Sequence, residues 1–223
     1  MSKNILIIVT SHDLIDADHK TGIWFEEFAV PYTLFLDEGY SVTVVSPEGG
    51  DAPVDAGSML DYQASNENER AMAALKNLPA LSDAYQTEQF DAVFFPGGHG
   101  TMYDLPDNPY VQRIIEDAMQ TNKPLAAVCH GPACLVNVKN KDDASLVRGR
   151  NVTAFTNSEE QAVQLDTLMP FLLEERFRAC GANFISAENW ADNCIVDGNL
   201  VTGQNPQSSA SAANAVIALL KDT

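Results

Sequence analysis

Short apolar runs that stop at turn-forming or chemically active residues recur along this chain. Ile5 to Val9 is the first; closed by Thr10, Ser11, His12 and Asp13, it reads as a buried parallel strand whose C-terminal loop can border a site. Ile23 to Tyr40 carries a helical pattern with Gly39 as its stop and Pro31 as the source of a kink or a late start. Tyr40 to Ser46 is a second strand, followed by a turn-rich polar stretch from Asp51 to Asn66 and two short helical segments, Glu67 to Lys76 and Leu81 to Gln86. Ala92 to Phe95 is a third buried strand that runs directly into Pro96-Gly97-Gly98-His99-Gly100. Pro109 to Gln120 is a helix with proline in its first turn. Leu125 to Val128 ends abruptly at Cys129-His130-Gly131-Pro132, and a further apolar run begins at once, which is the pattern of a strand turning sharply into a helix. Gly149 to Phe155 predicts another strand, Ser158 a cap for the helix running through Val163, and Leu168 to Arg178 an amphipathic helix. Cys194 to Val196 and Leu200 to Thr202 form a hairpin pattern around Asp197-Gly198-Asn199, and Gln207 to Leu220 closes the chain as a helix.

Strands alternating with helices predict an α/β fold, a doubly wound and mostly parallel sheet in a flavodoxin-like sandwich. With 223 residues, 45% of them hydrophobic, the chain can bury one sizeable core, so residues 1–223 are expected to form one domain. A net charge of −18 makes nucleic acid and anionic membrane poor partners. Four cysteines, Cys129, Cys134, Cys180 and Cys194, lie irregularly, without C-x-x-C or zinc-ligand spacing, which fits a reduced intracellular setting. The apolar run at the N-terminus is too short for a signal peptide or a membrane span, so the expected location is the cytoplasm.

The candidate chemistry centres on Cys129. A nucleophile elbow lifts its side chain out of the sheet, and the N-terminus of a following helix would offer free N–H groups and a positive dipole end, both of which favour thiolate. The Gly97-Gly98 cluster, one strand away, lets backbone N–H groups approach a ligand closely, as an oxyanion site requires. It has neither dinucleotide-fingerprint nor P-loop spacing. Of the four histidines, none follows His130, which excludes the amidotransferase arrangement with its late His-x-Glu pair; His130, next to Cys129, is the candidate base. Glu26 and Glu27 are neighbours among aromatic residues, and about 100° of helical rotation separates them, so one that turned inward would need a partner or a retained proton. No two histidines share helical metal-ligand spacing.

These motifs together resemble the ThiJ/PfpI superfamily of class I amidotransferase-like proteins, and within it the HchA-type, glyoxalase III branch. The resemblance rests on Thr21-Gly22 through Glu27 and Pro31, Ser46-Pro47-x-Gly49-Gly50, the Pro96 to Gly100 cluster, Ala127 to Pro132, and Asp197-Gly198-x-Leu200-Val201-Thr202-Gly203. It implies Cys129 as nucleophile, His130 as its partner, Glu27 as the buried glutamate that meets the thiol, and Glu160 as the acid that orients His130. It also implies an oxyanion site at Gly97 and Gly98, with the Gly98 and His130 amides as donors. The implied activity is glutathione-independent conversion of methylglyoxal or a related 2-oxoaldehyde to a 2-hydroxy acid without an external cofactor, by a homodimer. The metal site of longer bacterial members is not carried over, because this compact chain lacks the extra segment. Members of the same superfamily also include holdase chaperones, deglycases and redox-responsive proteins, and those remain alternative expectations.

Overall fold

The computed structural model describes residues 2–60 and 62–222. Its central sheet has the order β2 (Ser41–Val45), β1 (Asn4–Ile8), β3 (Ala92–Phe95), β4 (Leu125–Val128), β8 (Leu200–Gly203), β7 (Cys194–Asp197). All neighbours are parallel except β7, which pairs antiparallel with β8. The two central strands, β3 and β4, are apolar throughout because both faces of the sheet are covered there. Ile5, Ile7, Phe94, Ala126 and Val128 enter one core, while Leu6, Ile8, Val93, Phe95, Leu125 and Ala127 enter the other. The first core is closed by α1 (Phe25–Asp37) and α7 (Ser209–Lys221) through Phe28, Phe35, Ala212 and Val216. The second is closed by α4 (Pro109–Gln120) through Val111, Ile114 and Ile115. Two shorter helices, α2 (Asn66–Ala74) and α3 (Thr101–Asp104), flank the sheet. The doubly wound architecture expected from the alternating pattern is therefore present.

Four local expectations need correction. Leu81 to Gln86 is not helical: Ser46 and Ala80 form a β-bridge and Leu81 donates to Ser46 O at 2.8 Å, so this segment extends alongside the end of β2, and only Thr87–Gln89 closes a 3-10 turn. Of the Gly149–Phe155 run, only β5 (Asn151–Val152) is strand, and it pairs with β6 (Asn183–Phe184) in a separate two-stranded sheet. The Leu168–Arg178 helix begins late, as α6 (Leu173–Ala179), because Pro170 has no N–H to donate and biases the residue before it away from helix. Thr156, not Ser158, caps α5 (Asn157–Ala162), in a capping box with Glu159: Thr156 Oγ1 accepts from Glu159 N at 3.1 Å and Glu159 Oε2 from Thr156 N at 3.0 Å.

Candidate active site

The C-terminal ends of β3, β4 and β8 converge, since Ala127 pairs with Phe95 and Val128 with Gly203. Cys129 follows at once. Its N–H donates to Gly203 O at 2.9 Å and its carbonyl accepts from Phe155 N at 2.9 Å, so the elbow is pinned between β8 and the segment that leads to α5. Cys129 has φ +58°, in the left-handed region that non-glycine residues seldom occupy. That is the strained turn expected of an elbow. The helix after it is only a five-residue 3-10 turn, Gly131–Leu135.

The side chains implied by the resemblance are brought together. Cys129 Sγ lies 3.3 Å from His130 Nδ1, and His130 Nε2 lies 2.7 Å from Glu160 Oε2. Glu160 Oε1 is engaged as well, at 2.7 Å from His99 Nε2. A carboxylate only accepts, so both imidazoles donate from Nε2, and His130 Nδ1 is left as a lone pair aimed at the thiol. The two imidazoles lie with centroids 4.0 Å apart and their planes tilted by 40°. His99 is the member that sequence reasoning missed. It stood inside a motif valued for its glycines, and nothing in linear spacing joins residue 99 to residue 160.

Glu27 is fully buried, and its neighbour Glu26 is exposed. Glu27 Oε2 accepts from Gly97 N at 2.7 Å, while Oε1 has no hydrogen-bond partner among the described residues. Burial, partly offset by the nearby Cys129 and the Gly97 N–H, pushes its carboxyl up to about 8. The Cys129 thiol is also pushed well above its ordinary range, first by burial and then by the charge of Glu27. This reverses the expectation of a helix-stabilised thiolate. A five-residue 3-10 turn has little dipole to offer, and a dry pocket beside several carboxyl groups penalises a second negative charge. Burial also lowers His130, helped by His99 and opposed by Glu160. For Glu160, burial alone would raise the carboxyl, but His130 and His99 outweigh it and hold it well below the usual range.

The glycine cluster fits tightly. A Cβ on Gly97 would stand 2.6 Å from Val128 O and 2.7 Å from Glu27 Oε2; one on Gly98, whose φ is +102°, would stand 2.2 Å from Gly22 O. Neither the Gly98 N–H nor the His130 N–H has an acceptor among the described residues, which leaves both free for a developing oxyanion. Above the thiol is a cavity of about 80 Å³ lined by Trp24, His99, Phe155, Val163 and Trp190 among others. A larger hollow, of about 330 Å³ beside Phe25, Glu26 and Tyr62, has no cysteine or histidine among the described residues of its lining.

Donor atoms of His99, His130 and Glu160 all lie within 4.8 Å of one another, so these are the residues that could hold a metal ion. In the arrangement present, both imidazole Nε2 atoms are instead bonded to the carboxylate. The loop after β3, the turn after β4 and helix α5 supply the three residues, which is why ligand spacing along the chain gave no sign of them. No helix among the described residues is long and apolar enough to cross a membrane.

Comparisons with known proteins agree with one another. A profile described as the DJ-1/PfpI family matches residues 22–219. A glutathione-independent glyoxalase of Schizosaccharomyces pombe is 32% identical, with 98% of each chain covered. Among solved structures, the crystal structure of glyoxalase III from Candida albicans is 29% identical, with TM-score 0.88 and 97% of each chain covered. The Rapid Encystment Protein of Francisella tularensis is 34% identical, with TM-score 0.92, covering 98% of this chain and 99% of its own.

Proposed function

The chain belongs to the DJ-1/PfpI family, and from that premise and the site geometry we propose that it is a glutathione-independent glyoxalase turning small 2-oxoaldehydes into 2-hydroxy acids. The observation that carries the reading is the line Cys129 Sγ, His130 Nδ1, His130 Nε2, Glu160, at 3.3 and 2.7 Å, with a protonated Glu27 buried beside the thiol. Because the thiol keeps its proton at rest, addition proceeds by general-base catalysis. His130 Nδ1 takes the proton as Sγ bonds to the aldehyde carbon, and Glu27 gives its own proton to the oxygen held by the Gly98 and His130 amides. The hemithioacetal that results leaves Glu27 ionised. Glu27 then removes the hydrogen on C1 as a proton, His130 protonates the oxygen on C2, and an enediol forms. Glu27 returns the proton to C2 while His130 withdraws the proton of the C1 hydroxyl, giving the thioester of a 2-hydroxy acid. Water releases the acid and restores the thiol. One carbon is oxidised and its neighbour reduced, so no external redox partner is required.

The lining of the cavity supports independence from glutathione, since among the described residues it has no lysine or arginine to receive a peptide carboxylate. Residues 1–223 are read as one domain, and the homodimer implied by the resemblance is tested by light scattering for twice the 24.2 kDa chain mass. The deciding experiment incubates purified protein with methylglyoxal, without glutathione, and quantifies lactate. Wild type should produce it catalytically and Cys129→Ser should not. Loss of methylglyoxal without lactate would mean that the thiol merely traps the aldehyde, and a sensor or chaperone reading would replace this one.

A further inference from the structure

Glu159 and Glu160 are adjacent and both buried, yet only Glu160 faces the histidines. Glu159 accepts only from neutral groups: Thr156 N and Oγ1 on one oxygen, and Gln204 Nε2, Asn205 Nδ2 and Trp190 N, at 3.1, 2.9 and 2.9 Å, on the other. Burying a carboxylate without a countercharge is costly unless its lone pairs are filled, and here they are filled by donors from three separate segments. The segment so held is the turn ending at Trp190. Asn205 Nδ2 also donates to Ala191 O at 2.8 Å, and Ala187 N donates to Gln204 Oε1 at 2.8 Å, so both sides of the turn are tied down.

What this anchorage presents is a large ring in an unfavourable backbone state. Trp190 has φ +64°, a genuine outlier for a bulky residue, and its side chain is 40% exposed. A glycine or asparagine would occupy such a turn without strain, and an exposed indole adds little to the core. The indole lines the cavity above Cys129, with its centroid 5.6 Å from Phe155, whose ring in turn lies 4.4 Å from His130. Val163 and Trp24 complete the apolar wall. Among the described residues no aspartate, glutamate, lysine or arginine lines the cavity, and at about 80 Å³ it has room for only a few water-sized groups.

We propose that Trp190 determines specificity by limiting the substituent on the 2-oxoaldehyde to a short, uncharged one, and that Glu159 is the positioning residue that holds it there. This rests on the glyoxalase reading of the site. Trp190→Gly removes the ring and suits the backbone, so it should fold at least as well as wild type; Trp190→Ala is the second variant. With glyoxal, methylglyoxal and phenylglyoxal as substrates, both should raise kcat/KM for phenylglyoxal relative to methylglyoxal by about tenfold or more, the discrimination ordinarily available to an apolar pocket. Glu159→Ala should shift the same ratio, and Glu159→Gln, which keeps an acceptor for the Trp190 N–H, should restore it. A merely structural role would lower all three substrates alike.

A second readout needs no turnover. The rate of Cys129 alkylation by iodoacetamide and by N-benzylmaleimide, followed by peptide mass spectrometry, should show the bulky reagent gaining more than the small one in both Trp190 variants. If that selectivity changes while wild type turns over no oxoaldehyde, the gate stands and the glyoxalase reading falls. If wild type is active but neither the substrate ratio nor the alkylation ratio moves, the gate is overturned.

Discussion

Glu27 and Glu26 share a helix turn and a charge type, yet only one is enclosed. The enclosed carboxyl, raised to about 8, can donate and then accept a proton near neutral pH. Glu27→Gln should therefore cost roughly 10²–10⁴-fold in kcat, while Glu26→Gln should leave turnover within about twofold, because only the first removes a positioned acid–base group. Equal losses would refute the assignment. His99 acts through Glu160. His99→Ala frees one carboxylate oxygen and removes a neighbour that holds His130 down, so His130 becomes more basic. The acid limb of the kcat/KM profile should then move to higher pH and kcat fall about tenfold, with His99→Gln recovering part of the loss by restoring a donor. An unshifted limb in the alanine variant would reduce His99 to a packing residue.

At the scale of elements, the site is a set of strand ends held at fixed register. Gly98, in the loop after β3, lies against the loop before α1; its carbonyl accepts from Thr101, and its N–H has no acceptor among the described residues. Gly98→Ala would force a Cβ against Gly22 O in a backbone state that disfavours alanine, so we expect more than about 1 kcal/mol of lost stability together with lost activity, read by chemical denaturation and by turnover. Thr156→Ala removes the cap of α5, which also orients both buried glutamates; the expected loss is about 1 kcal/mol and a lower kcat. A variant of full activity would show that α5 is aligned by Glu159 alone. The apolar runs that become β1, β3 and β4 were legible in the chain because burial on both faces demands unbroken hydrophobicity. The β5–β6 pair was not, since two residues per strand carry no periodicity, and the segment at Leu81 took its shape from pairing with Ser46, a partner far along the chain.

For the whole molecule, burial of these acids links stability to pH. Folded Glu27 holds its proton more tightly than the unfolded chain does, so its contribution is complete below about pH 4.5 and is lost as pH rises through about 8. Glu27→Gln cannot ionise, and its stability relative to wild type should rise between pH 5 and pH 9 in urea titrations; parallel curves would count against a buried, ionising Glu27. Glu160 has the opposite sign: its contribution is present above about pH 4.5 and is lost on acidification. The α/β alternation, the elbow at Cys129 and the glycine cluster can be read along the chain, because each is a local pattern that backbone sterics and strand burial impose over a few residues. That Glu160 serves two histidines, that burial and nearby carboxyl groups push the thiol up, and that Trp190 lines the cavity with it emerge only once the chain is folded. Those outcomes depend on distance, exposure and dielectric among residues as far apart in the chain as Glu27, His99 and Trp190, and none of these is encoded in neighbouring positions.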